Sequence, residues 1–120
     1  MATFTKKILS GSTDGKAIKV VQTATAGTTI HTGSATATTH DEVWLYAVNS
    51  SSSDVKLTIE WGGVSSPDDL IELNVLAEAG LVLVVPGLLI KGNATPLVVK
   101  AFAATGNVIL LHGYVNQITV

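Results

Sequence analysis

Apolar and polar positions alternate most clearly between Val55 and Trp61. Val55, Leu57, Ile59 and Trp61 fall on one side of an extended chain, and Lys56, Thr58 and Glu60 on the other. Successive side chains of a strand point to opposite faces, so this segment reads as a strand with one dry and one wet face. The same short rhythm recurs along the chain. Phe4 to Leu9 is a first run, closed by the turn residues Ser10 to Gly15. Lys16 to Thr25 follows, ended by Ala26-Gly27, and Thr28 to Thr32 is a short third strand. Gly33 to Thr39 is small and polar, and reads as a loop or a weak edge strand. Asp41 to Asn49 is a strong strand built around Val43-Trp44-Leu45-Tyr46-Ala47-Val48, and Asn49 to Asp54 is a turn whose side chains bond their own backbone.

Beyond Gly62-Gly63, the segment Ser65 to Asp69 predicts at most one helical turn, with Pro67 near its start. Leu70 to Leu76 is a strand. Leu81 to Val85 is an unbroken apolar run, which predicts a strand covered on both faces. Pro86-Gly87 predicts a kink, and Leu88 to Ile90 a brief continuation. After the loop Lys91 to Pro96, strands are predicted at Leu97 to Ala103 and Val108 to Val115, and the short turn Thr105-Gly106-Asn107 between them predicts a hairpin. No stretch of a dozen residues carries apolar spacing near the helical period. Eight or nine short strands with turns throughout predict a single all-β domain over residues 1–120, an antiparallel β-sandwich of jelly-roll-like type. No internal repeat and no linker divides it.

Composition changes this picture in one respect. Of the 120 residues, 47% are apolar and only 13% charged, a high apolar share for so few charges. A membrane span does not explain it, because Leu81 to Ile90 is interrupted by Pro86-Gly87 and is far shorter than the roughly 18 residues a span needs. Nor is the apolar run after Lys6-Lys7 long enough for a signal peptide. Apolar surface covered by neighbouring subunits does explain it, so the expected state is a homo-oligomer. The net charge of −2, with no basic stripe, points away from nucleic acid. Lys6-Lys7 is too small a pair to anchor a membrane. The absence of cysteine leaves neither disulfides nor thiolate ligands and suits a reducing cytoplasm.

The chain carries little that points to chemistry. Gly11-Ser12-Thr13-Asp14-Gly15 lacks the lysine and helix of a phosphate cradle and reads as a plain turn. His40-Asp41-Glu42 is the densest group of potential ligands, but alternation lets only His40 and Glu42 converge. A metal would need His31 or His112 as well. His112 lies among Leu110, Leu111 and Tyr114, where a core or interface histidine is the ordinary explanation. Ser50 to Ser53 and Asp68-Asp69 sit in sequences that turn chemistry explains. No catalytic residue, metal or cofactor is expected, and the chain is read as a non-enzyme. Trp44 and Tyr46 share a face, and with Trp61 they read as core or interface packing, the competing reading being a platform for sugar or single-stranded nucleic acid.

Several segments taken together resemble a known group. They are Lys7-Ile8-Leu9-Ser10-Gly11-Ser12, Asp41 to Asn49 with its serine turn, Val55 to Gly62, Val84-Val85-Pro86-Gly87-Leu88, Val98 to Ala103 and His112-Gly113-Tyr114-Val115-Asn116. The pattern resembles the small jelly-roll virion proteins of tailed bacteriophages that decorate or cement capsids. The resemblance implies a homotrimer on the capsid surface, bound to the major capsid protein and made in the bacterial host cytoplasm. The alternative it leaves open is a tail or fibre component with a host-glycan contact through Trp44 or Trp61. Residues 1–12 are either an N-terminal arm facing the capsid or an ordinary first strand. As an arm they offer Phe4, Lys6, Lys7, Ile8 and Leu9 as capsid-binding residues.

Overall fold

The computed structural model describes residues 2–120, so Met1, the first residue of the expected arm, lies outside the described residues. Nine strands follow one another: β1 (Thr3–Ile8), β2 (Ile18–Lys19), β3 (Thr28–Thr32), β4 (Thr39–Asn49), β5 (Val55–Trp61), β6 (Leu70–Val75), β7 (Val82–Lys91), β8 (Val98–Ala103) and β9 (Ile109–Thr119). The described residues form no helix. One sheet has the order β1-β9-β4-β7, with β2 also on β9; the other has the order β3-β8-β5-β6. From β2 to β5, and again from β6 to β9, each connection passes to the opposite sheet. Only β5 and β6 are consecutive strands bonded to each other. With β1 and β2 sharing one position, this wrapping of eight strand positions is a jelly roll.

The sheets bury a core of branched side chains. Val43, Leu45 and Ala47 of β4 and Ile109, Leu111 and Val115 of β9 come from one sheet. Val55, Leu57 and Ile59 of β5 and Val99, Ala101 and Ala103 of β8 face them from the other. β4 shows why: its buried and half-buried residues alternate without a break over 11 positions, the period a half-covered strand requires.

Four expectations need correction. Val98–Ala103 and Ile109–Thr119 are not a hairpin, because they lie in opposite sheets. The turn between them carries the chain across the sandwich, and its Asn107 N–H donates to the Val20 carbonyl. The strand expected over Lys16 to Thr25 shrinks to Ile18–Lys19. After Val20 the chain leaves β9 and climbs to the second sheet, where the Ala103 N–H donates to the Gln22 carbonyl. Leu81 to Val85 is not covered on both faces. It runs into the edge strand β7, where Leu83, Leu88 and Leu89 are exposed, as is Leu81 just before it. The expected kink is a pair of register shifts against β4, between Val43 and Trp44 and between Leu45 and Tyr46, and an edge strand with bulges is where a proline without an N–H is tolerated. Finally, the expected wet face of β5 is dry at one end, since Thr58 and Glu60 are both buried. The single turn at Ser65 to Asp69 forms as expected, closed by Leu70 N–H donating to the Pro67 carbonyl.

Candidate functional site: the outer face of the β1-β9-β4-β7 sheet

The inward half of β4 and β9 makes the core, so the remaining half faces outward, and register aligns these residues in rows across the sheet. Phe4, Ile118, His40 and Lys91 form one row; Lys6, Asn116, Glu42 and Leu89 form the next. Ile8, Tyr114, Trp44 and Pro86 follow, then His112, Tyr46 and Leu83, and last Leu110 and Val48. Aliphatic and aromatic groups dominate the face. Phe4 is 70% exposed, Leu89 57% and Leu83 46%, values that a core-forming side chain does not show.

Its centre is ordered by a chain of contacts. The rings of Trp44 and Tyr114 are nearly parallel, at an interplanar angle of 10° with centroids 6.1 Å apart. The Lys6 ammonium sits 5.0 Å from the centroid of the Tyr114 ring, a cation–π distance. Glu42 Oε1 accepts from Trp44 Nε1 at 2.6 Å and from Asn116 Nδ2 at 3.0 Å. Those two bonds, that of Asn116 first, hold the Glu42 carboxyl below the usual glutamate range, against a smaller opposing effect of burial. Trp44 and Tyr46 do share a face, but it is the outer one, so of the core-or-interface reading the core half is corrected. The inward positions that alternate with them belong to the smaller Val43, Leu45 and Ala47.

The opposite outer face, on β3-β8-β5-β6, is different in kind. Lys56, Asn74, Glu72, Lys100 and Thr29 lie on it, Lys56 pairs with Glu72, and its apolar members are the half-buried Phe102 and Leu70 near Glu60. Where this face would expose Glu60, the segment after β2 folds over it. Thr25 Oγ1 donates to Glu60 Oε2 at 2.5 Å, and Gly27 N–H donates to Oε1 at 2.7 Å. Glu60 therefore acts as a clamp for that segment.

No protein family, curated protein or solved structure matches the chain.

The remaining polar groups are internal. His31 and Asp41 are both buried, and His31 Nε2 meets Asp41 Oδ2 at 2.7 Å. The Ser10 N–H donates to His31 Nδ1 at 3.1 Å, which places the ring proton on Nε2, facing the carboxylate. Gln117 Nε2 donates to Asp41 Oδ1 at 3.0 Å. A serine, a histidine and an aspartate thus meet, but through the serine backbone. The Ser10 hydroxyl instead accepts from Thr32 N–H, so no nucleophile–base bond exists here. Asp41 separates from His40 and Glu42 as alternation requires, and His31 joins Asp41 rather than the other two. Among the described residues, no three histidine, aspartate or glutamate side chains gather as a metal site.

Of the five residues proposed to meet a capsid, Phe4, Lys6 and Ile8 point to the outer face described above. Lys7 is exposed on the other side of β1, and Leu9 is buried in the core. Trp61 lies at the end of β5, half-buried against the core rather than enclosed by it. Glu42, Leu83, Leu89, Tyr114 and Asn116 belong to the same face, which no local pattern in the sequence reveals, because only strand register assembles it.

Proposed function

We infer that this chain is a structural protein without enzymatic activity: a decoration or cement protein of a tailed-bacteriophage capsid. It packs the outer face of the β1-β9-β4-β7 sheet on protein, with the major capsid protein as partner and a homotrimer as the working unit. The observation that carries the reading is the contrast between the two outer faces: one is apolar and aromatic across four strands with exposed Phe4, Leu83 and Leu89, the other is mainly polar with an ion pair, its Phe102 and Leu70 half-buried. Exposed apolar patches of this kind mark surfaces that other proteins cover. The surplus of apolar residues in the composition then has a location. The phage assignment and the trimer rest on the resemblance in the strand-and-turn pattern.

The alternative role in a tail or fibre with a glycan contact is favoured by the aromatic pair Trp44 and Tyr114. Against it stands Lys6, whose ammonium already occupies a face of the Tyr114 ring on which a sugar would stack.

A decoration protein stabilises the shell by binding its assembled form preferentially. The test is to add the purified chain to shells that lack it and to follow sedimentation and heat resistance. Co-sedimentation with a raised shell melting temperature is the expected result. A chain left in the supernatant, with shells that melt unchanged, contradicts the proposal.

A further inference from the structure

We propose that β1 is an exchangeable strand, which leaves β9 of its own chain and pairs in the same register with β9 of a second copy. All six residues of β1, Thr3 to Ile8, are exposed, although the strand is paired throughout, from Thr3 with Thr119 to Ile8 with Tyr114. A strand lying on a core hides alternate side chains; β1 hides none. It is held by main-chain hydrogen bonds and by the Lys6 ammonium on Tyr114, so releasing it uncovers little apolar surface. Segments with few buried contacts open at the lowest free energy.

The next residues are of the opposite kind. Leu9 is 1% exposed, inside the core. The Ser10 N–H donates to His31, the Ser10 hydroxyl accepts from Thr32 N–H, and Gly11 N–H donates to the Ile30 carbonyl. The chain is fixed from Leu9 onward, which makes the Ile8–Leu9 junction the hinge. β2 then resumes the same edge of β9 at Leu111 and Leu110, so the sheet survives the departure of β1.

With β1 gone, Tyr114 to Thr119 of β9 is an open edge that templates pairing. The strand that fits it residue for residue is β1 of another copy. Exchange restores every contact β1 makes at home, leaving only hinge strain and chain entropy to decide it, and identical-element exchange is a low-cost route to oligomers. Lys6 and Lys7 oppose further pairing along the outer edge of β1, which limits growth into fibres. The exchange requires no capsid and stands or falls separately from the proposed function.

The chain has no cysteine, so engineered thiols report alone. Thr5 and Gln117 are register partners, and opposed α-carbons in such a pair lie about 4.5–5.5 Å apart, within disulfide reach. A tagged Thr5→Cys chain is co-expressed with an untagged Gln117→Cys chain, purified together at high concentration and oxidised. The double variant in one chain serves as the geometric control. In parallel, hydrogen exchange is measured on the unmodified full chain. Exchange predicts a disulfide between tagged and untagged chains, and amides of Thr3 to Ile8 that exchange at least about a hundredfold faster than those between β4 and β9. A double variant that closes internally while no mixed disulfide forms overturns the proposal. If neither disulfide forms, hydrogen exchange decides: protection of Thr3 to Ile8 equal to that of β4 overturns it, and rapid exchange sustains it.

Discussion

The indole of Trp44 lies against the α-carbon of Gly87, so closely that a β-carbon at that position would come within 2.8 Å of the ring. Gly87 also has a φ of +77°, a conformation that costs other residues energy. One glycine therefore lets β7 bulge past β4 and leaves room for the aromatic group at the centre of the outer face.

Gly87→Ala is expected to destabilise the domain by about 2–4 kcal/mol, from backbone strain and overpacking together. Urea denaturation reads the loss, and tryptophan emission of the folded variant reads the displaced indole. Parent-like stability with unchanged emission shows that Trp44 does not rest on Gly87.

Glu42 gives a pH dependence. Its carboxyl is held below the ordinary glutamate value of 4.5 by the bonds from Asn116 and Trp44. A depressed carboxyl contributes stability that is present above the unfolded-state value and lost as pH falls through the folded-state value. The Trp44–Glu42 bond should thus persist at neutral pH and break only below 4.5. Titration of the Glu42 side chain by NMR should give a midpoint below 4.5, and Asn116→Ala should move it upward. A midpoint at or above that value in the parent chain removes the bond network from the account.

Glu60→Ala strips partners from the Thr25 hydroxyl and the Gly27 N–H. Losing both bonds and leaving two donors without their partner is expected to cost about 2–4 kcal/mol. The segment between Thr23 and Gly27 should become the preferred site of limited proteolysis. A variant cut no faster there than the parent shows that other contacts hold the segment down.

These residues also show what the sequence made legible. Alternation at Val55 to Trp61 and at Asp41 to Asn49 gave two central strands and the pairing of faces within each, because period-2 patterning is local. It did not say which face of β4 is inner, since Trp44 and Tyr46 compete with Val43, Leu45 and Ala47, both sets being apolar. Glu60 looked solvent-facing because the segment that covers it lies 33–35 residues earlier in the chain. His31 and Asp41 meet through β-sheet packing and share no local motif. Turn residues at Thr105 to Asn107 announced a reversal but not whether the chain stays in its sheet. The outer face is a product of register across β1, β9, β4 and β7, and register is not written in any one strand.

The proposal that this face docks on a capsid is tested most directly by co-sedimentation of face variants with shells lacking the protein. Leu83→Asp combined with Leu89→Asp places charge on two exposed face positions and leaves the buried core intact. Lys56→Glu, on the polar face of the other sheet, is the comparison. With folding confirmed by circular dichroism, the account predicts that the double variant binds shells at least about tenfold more weakly, a loss of roughly 1.4 kcal/mol or more, while Lys56→Glu binds like the parent chain. Equal binding by the double variant and the parent would contradict it.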